Sequence, residues 1–105
     1  MLDQKDFERA FTLHAIEWRK HALERMIERE ISRDEVREVV VDGEIVEVYE
    51  LDRPFPSVLF FKMINNRPIH VIAALDKSEP KVFVITAYEP TLDKFETDFK
   101  TRKKL

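Results

Sequence analysis

Gly43 is the only glycine among 105 residues, and the hydrophobic pattern changes its period across it. Before it, apolar residues recur at helical spacing: Phe7, Ala10, Phe11, Ala15, Trp18, Ala22 and Met26. β-Branched and aromatic residues cluster between positions 12 and 18, which predicts a break there and a better-defined helix over about 19–30. Ser32-Arg33-Asp34-Glu35 is a capping box: the hydroxyl accepts from the Glu35 amide while the Glu35 carboxylate reaches back. It opens a helix that buries Val36, Val39 and Val40, and Gly43 stands where a left-handed residue would end that helix.

After Gly43 come four runs rich in Val, Ile, Phe and Tyr, at about 44–51, 57–64, 68–75 and 81–88. Asp52-Arg53-Pro54-Phe55-Pro56 is a stiff connection, because its prolines cannot donate to a ladder. Asn65-Asn66 tolerates positive φ and suits a tight hairpin, and Lys77-Ser78-Glu79-Pro80 suits another turn. Connections this short join antiparallel neighbours. The expected fold is therefore α+β, with N-terminal helices packed on a four-stranded antiparallel sheet. Pro90 ends the last strand, and Leu92, Phe95 and Phe99 predict a short amphipathic C-terminal helix. The length suits a single domain over 1–105.

Hydrophobic residues are 44% of the chain and charged ones 37%, the balance of a folded, well-solvated protein. A net charge of −3 argues against strong unspecific binding to nucleic acid. The basic stretch at 100–105, with Lys100, Arg102, Lys103 and Lys104, could touch phosphate; a frayed, solvated end is the favoured reading. The absence of cysteine excludes disulfides, thiolate zinc sites and cysteine nucleophiles. The start of the chain is polar and acidic, and no apolar run is long enough to span a bilayer, so the expected setting is the cytoplasm, away from membranes.

Chemistry is sought first on the helix over 19–30. His21, Arg25 and Arg29 follow at i, i+4 and i+8, so their azimuths advance by only about 40° per step and they form one stripe. The stripe drifts from solvent toward the buried Ala22/Met26 edge, which makes Arg29 the structural anchor and His21 the candidate for chemistry. Imidazole exchanges protons near neutrality, and guanidinium forks onto phosphate or carboxylate. An ordinary ionic surface, with Arg25 and Arg29 paired to Glu28, Glu30 or Asp34, explains the same periodicity. His70 shares a strand face with Ile72 and Ala74, where a histidine is usually semi-buried and hydrogen-bonded. Thr86 and Tyr88 share a face of the last strand, and their hydroxyls could contact phosphate. The three histidines lack metal-site spacing, one glycine cannot make a phosphate loop, and the carboxylates are unclustered.

The run His21-Ala22-Leu23-Glu24-Arg25-Met26-Ile27-Glu28-Arg29-Glu30-Ile31-Ser32 resembles the opening H-A-x-x-R-M-x-x-R-x-I-S of the domain of unknown function family numbered 4258. Matches continue through Glu35-Val36, Gly43-Glu44-Ile45, Tyr49, Asp52, Pro54, Pro56-Ser57 and Arg67-Pro68-Ile69-His70-Val71. They end at Thr86-Ala87-Tyr88-Glu89-Pro90, similar to the family's T-x-Y-x-P, and cover about 16–96. Asn66 stands where the family often has Gly, and Phe95 where it often has Trp.

Members of that family resemble small RelE-like toxins of toxin–antitoxin pairs. The resemblance implies metal-independent endoribonuclease chemistry, with RNA as substrate, a cognate antitoxin as partner and no cofactor. It offers His21, Arg25 and His70 as the catalytic set, and Arg29, Arg67, Thr86 and Tyr88 as substrate-binding groups. A non-catalytic interaction domain is the competing reading, and a homo-oligomer formed through an edge strand requires no site at all.

Overall fold

The computed structural model describes residues 2–104. Three helices, α1 (Gln4–Thr12), α2 (Lys20–Arg29) and α3 (Arg33–Asp42), cover one face of a sheet. The strands are β1 (Ile16–Trp18), β2 (Glu44–Tyr49), β3 (Ser57–Ile64), β4 (Arg67–Asp76) and β5 (Lys81–Tyr88). Their spatial order is β1-β5-β4-β3-β2, and β2 to β5 form the expected antiparallel meander. Among the described residues no helix is long and apolar enough to cross a membrane.

The sheet differs from expectation by a fifth strand, which makes it mixed. Residues 16–18, expected only as a break, run parallel to β5 with Ile16 opposite Val82 and Trp18 opposite Val84. The Val82 amide donates to the Ala15 carbonyl at 2.9 Å, so this extended link caps an edge that would otherwise lie open. Three residues are too few to show a strand period.

Helix boundaries follow local chemistry. The Ser32–Glu35 capping box is formed in both directions, at 3.0 and 2.8 Å. Asn65 and Asn66 both take positive φ, 50° and 65°, as a two-residue hairpin of the primed type requires. Gly43 is not left-handed: its φ is −80° and ψ −171°. Glycine stands there because space is lacking. A Cβ would lie 2.2 Å from the Val39 carbonyl oxygen and 2.6 Å from that of Phe61.

The core lies between helices and sheet, where Phe7, Ala22, Met26 and Val36 pack against Val58, Phe60, Ile69, Val71 and Val84. Alternation sends Phe61, His70 and Tyr88 to the opposite face. That face is covered by residues 90–104, which form no C-terminal helix. Phe95 instead drops onto His70 and is 2% exposed, whereas Leu92 is 48% exposed. Phe99 has φ 58°, incompatible with continuing a helix.

The basic stretch is likewise held rather than frayed, up to Lys103. The Lys103 amide donates to the Lys94 carbonyl at 2.9 Å, the Glu96 amide to the Thr101 carbonyl at 2.8 Å, and Phe95 bridges Arg102. Leu105, the last residue of that stretch, lies outside the described residues. Asp98 organises the turn by accepting from the amides of Lys100 and Thr101, both at 2.9 Å, and from the Thr101 hydroxyl at 2.8 Å.

Those backbone donors hold the Asp98 carboxyl down at about 2. Its folded value is depressed, so its stabilising effect is full above the ordinary value of 3.8 and is lost as pH falls through about 2. In an acid titration followed by NMR, the Lys100 and Thr101 amide resonances are expected to move with a midpoint near 2. A midpoint near 3.8 would contradict the turn.

Candidate functional site

His70 is the centre of the covered face. It is 0% exposed and packed edge-on against Phe61, Tyr88 and Phe95, with ring centroids 5.7, 5.3 and 4.7 Å away. Its Nε2 lies 2.7 Å from the Phe99 carbonyl oxygen, and its Nδ1 lies 3.2 Å from the Tyr88 hydroxyl. Burial pushes the His70 pKa down, and the Arg102 charge acts in the same direction. The Phe99 bond and Glu47 oppose this without reversing it. His70 is therefore neutral at neutral pH.

Beside it Glu47 and Tyr49, from β2, meet the C-terminal segment. Arg102 donates through Nε and Nη2 to the two Glu47 carboxylate oxygens, at 2.9 and 3.1 Å, while the Tyr49 hydroxyl also donates to Glu47. The Arg102 bond is the main reason the Glu47 pKa lies below its ordinary value. Burial is the main reason Tyr49 lies above its own. The Arg102 guanidinium also sits over the Phe95 ring, 5.0 Å from its centroid.

Between the end of α2, the end of β5 and this segment opens a cleft of about 760 Å³. Its walls include Arg29, Tyr88, Glu89, Lys94, Phe95 and Arg102. Three cations face one carboxylate, and that carboxylate is engaged by Arg67 at 2.5 Å. Arg29 makes one bond, from Nη1 to the Ala87 carbonyl at 2.8 Å. Neither Arg29 nor Lys94 forms an ion pair among the described residues. The cleft can thus accept an anion on Arg29 and Lys94, beside an Arg102 whose guanidinium is already forked onto Glu47.

The residues singled out in the sequence separate on the structure. His21 has its side chain 88% exposed and lies beside Glu24 at 3.7 Å; Arg25 pairs with Glu28 at 3.5 Å. Both follow the ionic-surface pattern. His21 stands two turns of α2, about 12 Å, from Arg29. His21 and His70 do not share a site, because α2 covers one face of the sheet and His70 projects from the other. The paired-histidine arrangement is corrected by that placement.

Arg29 is at once the anchor expected of it and a wall of the cleft. Arg67 works as a staple rather than a free phosphate clamp. It bonds Glu89 and also donates to the carbonyls of Glu30 and Arg29, both at 3.0 Å, which satisfies the C-terminal end of α2. Thr86 and Tyr88 share a face, opposite Ile72 and His70 respectively, and Tyr88 lines the cleft.

Lys94, Phe95, Glu47 and Tyr49 carried no sequence signal of their own as site residues. Arg102 lay in the basic stretch, whose phosphate-touching reading was the less favoured one. Among the described residues no three His, Cys, Asp or Glu side chains group as metal ligands.

A family model described as a domain of unknown function, DUF4258, matches residues 18–89. Lys94, Phe95, Phe99 and Arg102 thus lie beyond the matched segment, while Arg29, His70 and Tyr88 lie within it. No curated protein matches the chain, and no solved structure does.

Proposed function

Since the chain belongs to the DUF4258 family, whose description names no activity, we propose from its site that it binds RNA and cleaves it without a metal ion. The reading is that of a toxin-like, RelE-like endoribonuclease restrained by a cognate antitoxin. The observation that carries it is the cleft in which Arg29, Lys94 and Arg102 surround Tyr88. Arg29 and Lys94, with Arg102 held beside them by Glu47, suit a phosphodiester, and they would stabilise the extra negative charge at phosphorus as the ribose 2′ oxygen attacks, its proton passing to water, and the bond to the 5′ oxygen breaks to leave a 2′,3′-cyclic phosphate and a 5′-hydroxyl.

A second reading, an RNA- or partner-binding domain without catalysis, is favoured by one feature. His70, the only histidine beside the cleft, is fully buried with both ring nitrogens engaged, so it does not touch a ligand directly. The two readings part on one assay. Purified protein is incubated with single-stranded RNA in excess chelator. Cleavage is expected, and Lys94→Ala should lower its rate by about tenfold to a hundredfold, as loss of a cation from a phosphate site does. Binding without cleavage supports the interaction domain. Loss of cleavage in His21→Ala would move the chemistry to the helix stripe and overturn the cleft assignment.

A further inference from the structure

We propose that the cleft distinguishes ribose from deoxyribose, because Tyr88 is held as a hydrogen-bond acceptor and accepts a hydrogen bond from the 2′-hydroxyl of a nucleotide whose phosphate sits on the neighbouring cations. This rests on the RNA reading above and names what the same site selects.

The Phe99 carbonyl oxygen faces His70 Nε2. A carbonyl oxygen has lone pairs only, so at 2.7 Å the His70 Nε2 must carry the hydrogen and donate it. A neutral imidazole has one N–H, which leaves Nδ1 as an acceptor. Its partner is the Tyr88 hydroxyl at 3.2 Å, so Tyr88 commits its single hydrogen to His70. What Tyr88 presents elsewhere is lone pairs, and among the described residues no other group donates to them.

The charged groups facing this pair are Arg102 and Glu47, which are bonded to each other, and Arg29 on the Tyr88 side. Burial keeps the imidazole neutral, so the polarity is not undone by protonation near neutral pH.

An incoming ligand therefore meets two kinds of group. Arg29, Lys94 and Arg102 take an anion, while Tyr88 takes a donor and is unfavourable for a phosphate oxygen. A phosphate beside a free hydroxyl satisfies both. In a nucleic acid that combination is the ribose 2′-hydroxyl next to its phosphodiester, which DNA lacks. With the opposite imidazole tautomer, Tyr88 would turn its hydrogen toward the cleft and the distinction would vanish. His70 is thus a positioning residue, and the Phe99 carbonyl sets its tautomer. Phe99 is delivered there with φ 58° by the turn that Asp98 organises.

The test compares single-stranded oligonucleotides of one sequence in ribo, deoxyribo and 2′-O-methyl forms, binding being read within the first seconds in chelator. The intact protein is expected to bind the ribo form about tenfold more tightly than either of the others, the worth of one hydrogen bond. Tyr88→Phe should bring the ribo form to the level of the other two and leave the deoxyribo affinity unchanged. Nitrogen NMR of His70 at neutral pH should show the neutral tautomer protonated on Nε2, a readout that needs no ligand.

Equal affinity for ribo and deoxyribo forms would overturn the inference while phosphate binding stands. So would equal losses for both in Tyr88→Phe, or an Nδ1-protonated His70. Binding of none of the three would overturn the RNA reading and this inference together.

Discussion

Gly43→Ala is expected to destabilise the protein by about 3 kcal/mol, the scale of severe overpacking at a site that cannot relax. The added methyl would lie 2.2 Å from the Val39 carbonyl oxygen and 2.6 Å from that of Phe61. Both are backbone atoms, so no rotamer change relieves the contact. The first belongs to the last turn of α3, and the second to β3 where it pairs with Glu44 of β2. Gly43 also donates its amide to Val39 at 2.9 Å, and its carbonyl accepts from the Gln4 amide nitrogen at 2.7 Å. Relief by shifting the backbone would therefore loosen α1, α3 and β2 together. Urea unfolding checks this, and a change within about 0.5 kcal/mol, as at ordinary surface sites, would contradict the crowding. Because φ at Gly43 is −80°, the penalty is steric and not conformational.

Phe95→Ala is expected to have the second large effect, a loss of about 3–4 kcal/mol together with loss of ligand binding at the cleft. The ring is 2% exposed and lies between the His70 imidazole, 4.7 Å from its centroid, and the Arg102 guanidinium. Removing it leaves a void above a buried polar group and opens a route for water to His70. It also removes the ring over which the Arg102 guanidinium sits. The ion pairs of Lys100 with Glu44 and Arg102 with Glu47 are partly exposed and contribute little by themselves.

Leu92→Ala is the comparison, with an expected change within about 0.5 kcal/mol because the side chain is 48% exposed. If the C-terminal segment were a frayed tail, the two variants would behave alike. Denaturant unfolding and the RNA-binding assay, run on both, decide the matter.

Much of the frame was legible because it is written in short-range rules. The capping box placed the start of α3, Asn65-Asn66 placed the β3–β4 hairpin, and runs rich in Val, Ile, Phe and Tyr placed β2 to β5 within a few residues. The stripe of His21, Arg25 and Arg29 was geometrically sound, but helical periodicity does not say what faces a helix. Glu24 and Glu28 claim the first two residues, and the edge of β5 claims the third. Arg67 looked like a free cation until Glu89 and the end of α2 came into reach of it, through contacts 22 to 38 residues away in sequence.

For residues 90–104 the sequence misled, since Leu92, Phe95 and Phe99 have helical spacing. Two of them are drawn instead to the aromatic face of β3 and β4, contacts that local propensity does not contain.

What the sequence alone determined is the α+β class, the single glycine where α3 meets β2, the balance of charged and apolar residues, and the alternation that groups His70 with Ile72 and Ala74 on one strand and Thr86 with Tyr88 on another. Those follow from period, propensity and steric need, which act within a few residues. Only the tertiary structure decided the fifth strand, the separation of His21 from His70, and the return of residues 90–104 over the sheet. Each of these depends on which distant groups meet, and on which partner satisfies a hydrogen bond. The Phe99 carbonyl on His70 is the sharpest case, because a contact 29 residues away in sequence fixes where the Tyr88 hydrogen points.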